Sequence, residues 1–159
     1  MPMVTAVPGK RAFVLALLFT QDRQQVALMR RTRPAWQAGQ INALGGKLTA
    51  GESALDAARR EVREEAGVDV TDWVEVLEWE DLEYRMHVVR AVSERARDVR
   101  TMEDQEVFLA DVAQLPAEVI GNLRWLVPLA LDDDVARPVR VRSANPEGSG
   151  LTEREPSGE

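Results

Sequence analysis

Three glutamates crowd the last turns of one predicted helix and constrain this chain more than any other feature. Glu61, Glu64 and Glu65 belong to the stretch 46–68, GKLTAGESALDAARREVREEAGV, which has glycines at both ends. At about 100° per residue, the three positions share roughly a third of the helix circumference. Carboxylates this close repel one another unless a cation binds them, and hard divalent cations prefer oxygen ligands. The pattern therefore favours a divalent metal site.

The same helix carries an apolar stripe next to its acidic face. Leu55, Ala58, Val62 and Ala66 recur at spacings of three and four, which predicts a face packed on a core. Ser53 is the expected N-cap of the helix. The carboxylates should therefore lie at the edge of the core, in a cleft. A solvated helix with Arg–Glu pairs is the alternative for such a charged run.

The spacing of these residues resembles the Nudix box. The matching positions are Gly46, five residues, Glu52, seven residues, Arg60-Glu61-Val62, one residue, Glu64-Glu65, one residue and Gly67-Val68. A looser resemblance to MutT-like nucleoside triphosphate pyrophosphohydrolases extends from about residue 10 to residue 131. The predicted strands and helices, like the family, suggest a three-layer α/β/α sandwich with a mixed sheet.

The resemblance implies a Mg²⁺ site, with Mn²⁺ as a substitute ion. Its ligands would be the three box glutamates, the carbonyl of Gly45 and one carboxylate outside the box. Glu106 is the first candidate for that outer carboxylate and Glu103 the second; surface charge is the alternative for both. Glu52 and Arg60 complete the expected catalytic set. Arg60 can hold a box carboxylate in place, and Glu52 suits a supporting role better than direct ligation.

Four further residues are expected to contact substrate. Arg31 and Lys47 are candidates for phosphate contacts, and Asn42 matches a family position that can touch the base. Asn122 stands where some relatives place a base-reading acid. A solvated strand edge is the alternative for Arg31, and a hydrogen bond to the loop backbone is the alternative for Asn42.

The function implied is hydrolysis of a nucleoside diphosphate linked to a group X. The favoured substrate is a nucleoside triphosphate, cleaved to a monophosphate and pyrophosphate, as in enzymes that clean nucleotide pools of oxidised and other nucleotides. Tyr84 lies 16 residues past Val68, a spacing also found in dinucleoside polyphosphate hydrolases of the family. A Nudix-fold nucleotide-binding module without turnover is the remaining alternative, and such modules usually lack box glutamates.

Composition sets the broad limits. The chain has 159 residues, which suggests one domain over 1–135 and a polar, partly disordered tail over 136–159. A net charge of −7 argues against a general binder of nucleic-acid polymers. No apolar run reaches membrane-spanning length and the N-terminus lacks signal-peptide features, so a cytoplasmic location is expected. The family resemblance allows a homodimer.

Several elements follow from local patterns. Strands are predicted at 11–20 and 26–31, as a hairpin, and at 74–80 and 84–92, as a second hairpin. A strand at 106–109 and a helix at 117–131 follow, with an edge strand suggested near 139–141. His87 is the one histidine, and there is no cysteine. A zinc site of the usual kind is therefore not expected, and His87 should pack within its strand.

Overall fold

A computed structural model describes residues 10–142, which form seven strands and two helices. The strands are β1 (Arg11–Phe19), β2 (Gln25–Arg30), β3 (Ile41–Lys47), β4 (Val74–Glu80), β5 (Tyr84–Val92), β6 (Val107–Asp111) and β7 (Val139–Arg142). The helices are α1 (Ala54–Ala66) and α2 (Leu123–Leu131). The predicted strands at 74–80 and 84–92 are confirmed at both ends. Within this part of the chain, every helix is too short or too polar to cross a membrane.

The strands form a single mixed sheet in the order β6-β2-β3-β1-β5-β4-β7. The pairs β1–β5 and β4–β7 are parallel, whereas β1–β3, β2–β3, β2–β6 and β4–β5 are antiparallel. The central strand β1 is flanked by β3 and β5. This position matters for the site because the last residues of β3 carry the glycines of the box.

The two helices cover opposite faces of the sheet. Alternate residues of β1 point to opposite sides, because side chains alternate along a strand. Val14, Ala16 and Leu18 pack in one core with the apolar face of α1. Leu15, Leu17 and Phe19 pack in a second core with α2. The predicted three-layer sandwich is therefore confirmed.

Helix α1 begins and ends at the signals in its sequence. The side chain of Ser53 accepts a hydrogen bond from the Asp56 backbone N–H at 3.1 Å, which confirms it as the N-cap. Gly67 ends the helix in the left-handed conformation, with φ at 73°. Ala58, Val62 and Ala66 are fully buried, so the apolar stripe faces the sheet as predicted.

The predicted hairpin at 11–31 is wrong over most of its length. β1 meets β2 at Phe19 and Val26, next to the turn, and then pairs with β3 from Phe13 to Ala16. β3 therefore lies between the two strands. A tight turn determines the pairing only of the residues next to it. The neighbour along the rest of a strand depends on side-chain packing between distant segments.

Helix α2 begins six residues later than predicted. The backbone of Glu118 and Ile120 hydrogen-bonds both sides of Ile41, at 3.0 and 2.9 Å, which places Val119 in a bridge with the first residue of β3. These bonds use backbone groups that a helix would need, so the helix starts at Leu123. Pro128 lies inside α2, where it leaves the Arg124 carbonyl without its usual helical donor.

Part of the stretch expected as a tail belongs to the sheet. Residues 139–142 form β7, which pairs in parallel with β4 from Leu77 to Glu80. The suggested edge strand is therefore present, with Val139 and Val141 packed against the core on the α2 side. The predicted disorder of the last fifteen residues falls outside the described residues.

Candidate active site

Glu65 is a buried acid at the point where α1 crosses the end of β3. Its side chain is 8% exposed, and one oxygen accepts a hydrogen bond from the Gly45 N–H at 3.3 Å. The other oxygen, Oε2, is buried without a hydrogen-bond partner. Burial raises the pKa of Glu65 to about 9, followed by Glu61, which acts through its charge and through a hydrogen bond that forms only when one of the two acids is protonated. The pair therefore retains a proton near neutral pH unless a cation replaces it.

The glycines of β3 allow α1 to approach the sheet this closely. A Cβ at Gly46 would lie 2.6 Å from Oε1 of Glu61, so the carboxylate occupies the space that a side chain would take. Gly45 has a φ of 140°, and a Cβ there would lie 2.0 Å from the Val14 carbonyl oxygen. Both positions therefore require glycine. Two box carboxylates consequently lie directly on the backbone of β3.

Arg60 connects the glutamates of the box. It donates two hydrogen bonds to Glu52, both at 2.9 Å, and one to Glu61 at 2.9 Å. It also reaches Glu64 at 3.4 Å and the Lys47 carbonyl at 3.1 Å. The Arg60 hydrogen bonds lower the pKa of Glu52 below its usual range, so Glu52 stays ionised. Glu52 therefore anchors Arg60, and Arg60 fixes the orientation of Glu61.

The remaining predicted metal ligands lie further out. The Glu64 side chain is 51% exposed, and the three box carboxylates do not all lie within 4.8 Å of one another. Glu106 and Glu103 are exposed in the segment before β6. The carbonyl of Glu106 accepts a hydrogen bond from Arg30, which fixes its backbone beside β2. Glu61 and Glu65 are thus the carboxylates that the structure brings together.

A cleft of about 340 Å³ opens at Gly45 and Gly46, the glycines against which Glu65 and Glu61 lie. Three of the four predicted substrate residues, Arg31, Asn42 and Lys47, line it together with Gly45 and Gly46. The fourth, Asn122, is not among the lining residues. It occupies the N-cap position of α2, and its Oδ1 atom is buried without a partner.

Arg31 lines the cleft and is also close enough to Glu65 for its charge to act on that acid. Its Nε is buried without a hydrogen-bond partner, and its positive charge lowers the pKa of Glu65 against the larger effects that raise it. Because Nε lacks a partner, this cationic side chain still has a donor available for an anion. The solvated-edge alternative for Arg31 is therefore not supported.

The Asn42 amide is partly used by the backbone. Its Oδ1 accepts a hydrogen bond from the Ala43 N–H at 2.8 Å, as the loop-backbone alternative anticipated. This contact leaves the amide N–H₂ group available, and an N–H₂ group is a donor to a nucleobase or sugar oxygen.

Several cleft residues were not predicted. Phe13, Leu15 and Met86 contribute apolar side chains to the lining, and Gln37 contributes from the loop before β3. The apolar residues belong to strands whose alternation shows burial but not a ligand cleft, so sequence offers no signal for them. Tyr84 packs edge-on against Phe13, with ring centroids 6.2 Å apart, and is not one of the lining residues.

The donor set fits a hard divalent cation. Two carboxylates share a mostly buried location, and Oε2 of Glu65 has no partner, while the Gly45 N–H and Arg60 each occupy an oxygen of one carboxylate. Carboxylate and carbonyl oxygens are the ligands that Mg²⁺ and Mn²⁺ accept. A cation there would offset the burial of the charged carboxylate and the charge of Glu61, which raise the pKa of Glu65.

Comparisons with known proteins agree with this geometry. The family model described as the NUDIX domain matches residues 9–134. The chain belongs to the NUDIX domain family and is a Nudix hydrolase. Among curated proteins, none matches the chain.

Solved structures of MutT proteins share the fold. A MutT structure from work on Aliivibrio salmonicida and Vibrio cholerae is 20% identical, with a TM-score of 0.62, covering 77% of this chain and 98% of that one. The MutT Nudix hydrolase of Burkholderia pseudomallei is 20% identical, with a TM-score of 0.62, over 76% and 97% of the two chains. The MutT protein of Bacillus halodurans is 17% identical, with a TM-score of 0.61, over 86% and 92%. At these identities, the likeness establishes the fold.

Proposed function

We propose that this protein uses Mg²⁺ to hydrolyse a nucleoside triphosphate to a nucleoside monophosphate and pyrophosphate. One observation carries the proposal. The acidic pair Glu61–Glu65, with an unpartnered buried oxygen, lies against Gly45 and Gly46 at the edge of a cleft that also contains Arg31 and Lys47. An acidic pair that lies against the glycines of a cleft lined by Arg31 and Lys47 suits a substrate that brings both a metal ion and phosphates.

Different residues of the site would bind the metal ion, the phosphates and the nucleoside. Glu61 and Glu65 would hold Mg²⁺ or Mn²⁺, with Glu64, the Gly45 carbonyl and Glu106 as further ligands. When bound, the ion neutralises phosphate charge and lowers the pKa of a coordinated water. Arg31 and Lys47 would bind the phosphate oxygens. The Asn42 N–H₂ group and the apolar wall of the cleft would contact the nucleoside.

The reaction requires only water as the nucleophile. Water attacks phosphorus, the P–O bond of the anhydride breaks, and the proton of the water passes to a nearby base. No covalent intermediate is needed, and no Ser–His or Cys–His pair lies among the proposed site residues. Arg60, anchored by Glu52, would keep Glu61 in place while charge develops on the phosphate oxygens.

The likeness to MutT proteins favours a nucleotide as the substrate. The proposed role is the removal of unwanted nucleotides, including oxidised ones, from the nucleotide pool. The alternative of dinucleoside polyphosphate hydrolysis rested on Tyr84. Its ring packs against Phe13 and does not line the cleft, so no observation favours a second base site there. A module without turnover is not favoured either, because every box glutamate is present.

A nucleotide panel tests the proposal. Nucleotide products and pyrophosphate are quantified by ion-exchange chromatography with Mg²⁺, with EDTA, and for Glu61→Gln, on natural and oxidised nucleoside triphosphates, nucleoside diphosphate sugars and dinucleoside polyphosphates. We expect Mg²⁺-dependent pyrophosphate release from a triphosphate and a loss of at least ~100-fold in Glu61→Gln. Glu94→Gln, an exposed glutamate outside the site, is the matched control. Full activity in Glu61→Gln would disprove the metal assignment.

A further inference from the structure

Three side chains outside the box form a second cluster of metal-binding groups. Glu75 and Glu78 on β4 and His87 on β5 have ligand atoms that all lie within 4.8 Å of one another. In residues 10–142 this is the one group of three or more such side chains at that distance. Neither the Nudix box nor the proposed reaction uses any of the three.

The backbone brings the two carboxylates to the same side of the sheet. Residues three apart on a regular strand point to opposite faces. A register shift between Glu75 and Leu77 inserts a bulge, so Glu75 and Glu78 face the same way. Glu78 is directly opposite His87 in the ladder. The cluster is therefore built by an irregularity in β4 and does not follow from ordinary alternation.

The imidazole of His87 is buried and points at this pair. The side chain is 1% exposed, and its Nδ1 lies 3.0 Å from Oε1 of Glu75. In the described part of the chain, this is the hydrogen bond that the ring makes. A carboxylate that orients an imidazole nitrogen fixes the position of both groups before any ligand arrives.

The surrounding cations leave negative charge in the cluster. Lys10 pairs with Glu80 at 2.6 Å, and Arg85 divides its charge between Glu80 at 3.2 Å and Glu78 at 3.3 Å. The Arg85 Nε nearest to Glu78 is buried and makes no hydrogen bond. For Glu75, His87 is the ion-pair partner among residues 10–142. Two half-buried carboxylates thus share less than one full positive charge when the imidazole is neutral.

We propose that Glu75, Glu78 and His87 bind a divalent transition-metal ion of the Zn²⁺ or Mn²⁺ type. One imidazole nitrogen with two carboxylate oxygens is a mixed donor set that suits these ions. Two ligands at ~2.05 Å in a tetrahedral site lie ~3.3 Å apart, close to the observed 3.0 Å between Nδ1 and Oε1. The ion takes the place of the proton between these atoms. Nδ1 must be unprotonated to bind the ion, so a neutral ring carries its single proton on Nε2, whereas a protonated ring releases its Nδ1 proton to solvent.

This site is separate from the box. Gly46 on β3 is in register with Val14 on β1, which is in register with His87 on β5. Two strand spacings of ~4.8 Å therefore place His87 about 10 Å from Gly46, on the face of the sheet that α1 covers. Metal binding at Glu75, Glu78 and His87 does not require hydrolysis at the box, so an experiment can disprove either one without affecting the other.

The single histidine makes the test direct. Untagged full-length protein labelled with ¹⁵N-histidine gives the spectrum of one imidazole, and ZnCl₂ is added stepwise. We expect a saturable shift of the Nδ1 resonance with one equivalent of Zn²⁺. Glu78→Gln keeps the hydrogen bond between His87 and Glu75 and should weaken Zn²⁺ binding at least tenfold. Glu65→Gln removes a box carboxylate and should leave the shift unchanged.

Each other outcome overturns the proposal. Imidazole resonances that do not move in the wild type would show that the cluster is an ion pair only. Equal affinity in Glu78→Gln would exclude its carboxylate as a ligand. Loss of the shift in Glu65→Gln would place the ion at the box. If Glu78→Gln does not fold, Glu75→Gln provides the same comparison, with the dispersion of the amide spectrum as the check on folding.

Discussion

Neutralising Glu65 should stabilise the metal-free protein, and increasingly so as the pH rises. Glu65 is 8% exposed, its Oε2 has no partner, and Glu61 lies beside it. In Glu65→Gln, the amide oxygen can still accept the hydrogen bond from Gly45, and the amide N–H₂ group can donate to Glu61. The substitution therefore removes a buried charge and keeps the shape of the side chain.

The direction of the pH dependence follows from how many protons the folded and unfolded states bind. The ordinary pKa of a glutamate is 4.5, and in the folded protein burial and Glu61 raise that of Glu65 to about 9. Between these values the folded state holds a proton that the unfolded state has lost. The stability that this proton confers is complete below pH 4.5 and is lost as the pH rises towards 9. The free energy of unfolding of the wild type should fall by at most about 1.4 kcal/mol per pH unit, or about 3 kcal/mol between pH 6 and pH 8.

Urea denaturation in EDTA at pH 6, 7 and 8 measures the effect. The difference in the free energy of unfolding between Glu65→Gln and wild type should grow by about 1–3 kcal/mol from pH 6 to pH 8. Glu64→Gln removes one charge from the same helix at a position that is 51% exposed, and its difference should change by less than ~0.5 kcal/mol. Saturating Mg²⁺ should stabilise wild type and reduce the gap to Glu65→Gln.

A difference in the free energy of unfolding between Glu65→Gln and wild type that stays constant with pH would contradict this prediction. It would mean that Glu65 titrates alike in the folded and unfolded states, so that neither burial nor Glu61 perturbs it. A gap that grows equally in Glu64→Gln would assign the effect to the net charge of α1 and not to the buried pair.

Two further substitutions test how the site is held. Arg60→Lys loses the paired hydrogen bonds to Glu52, so turnover should fall about tenfold while far-ultraviolet circular dichroism stays unchanged; unaltered turnover would exclude a positioning role. Gly45→Ala places a Cβ 2.0 Å from the Val14 carbonyl and should cost more than ~2 kcal/mol in urea denaturation. Gly121→Ala, where a Cβ meets nothing within 4 Å, is its control and should cost under ~1 kcal/mol; equal losses would contradict the steric argument.

Features that depend on a few neighbouring residues could be predicted from the amino-acid sequence. The Ser53 cap, the apolar stripe of α1, the end of the helix at Gly67 and the alternating strand at 74–80 all appear where local patterns predicted them. The box spacing also identified the family, because it places carboxylates and glycines at fixed intervals along a single turn and helix. Capping residues, helix-ending glycines and short periodic patterns act locally, so they do not depend on which distant segments pack against them.

Contacts between distant segments become visible only in the folded domain. The placement of β3 between β1 and β2, the bridge that delays α2, and the apolar cleft wall of Phe13 and Met86 depend on contacts between residues far apart in the chain. The burial of Glu65 on Gly45 and the bulge that turns Glu75 towards His87 are likewise properties of the assembled sheet. Local periodicity shows that a side chain is buried, but its neighbours and its charge state follow from the packing of the whole domain.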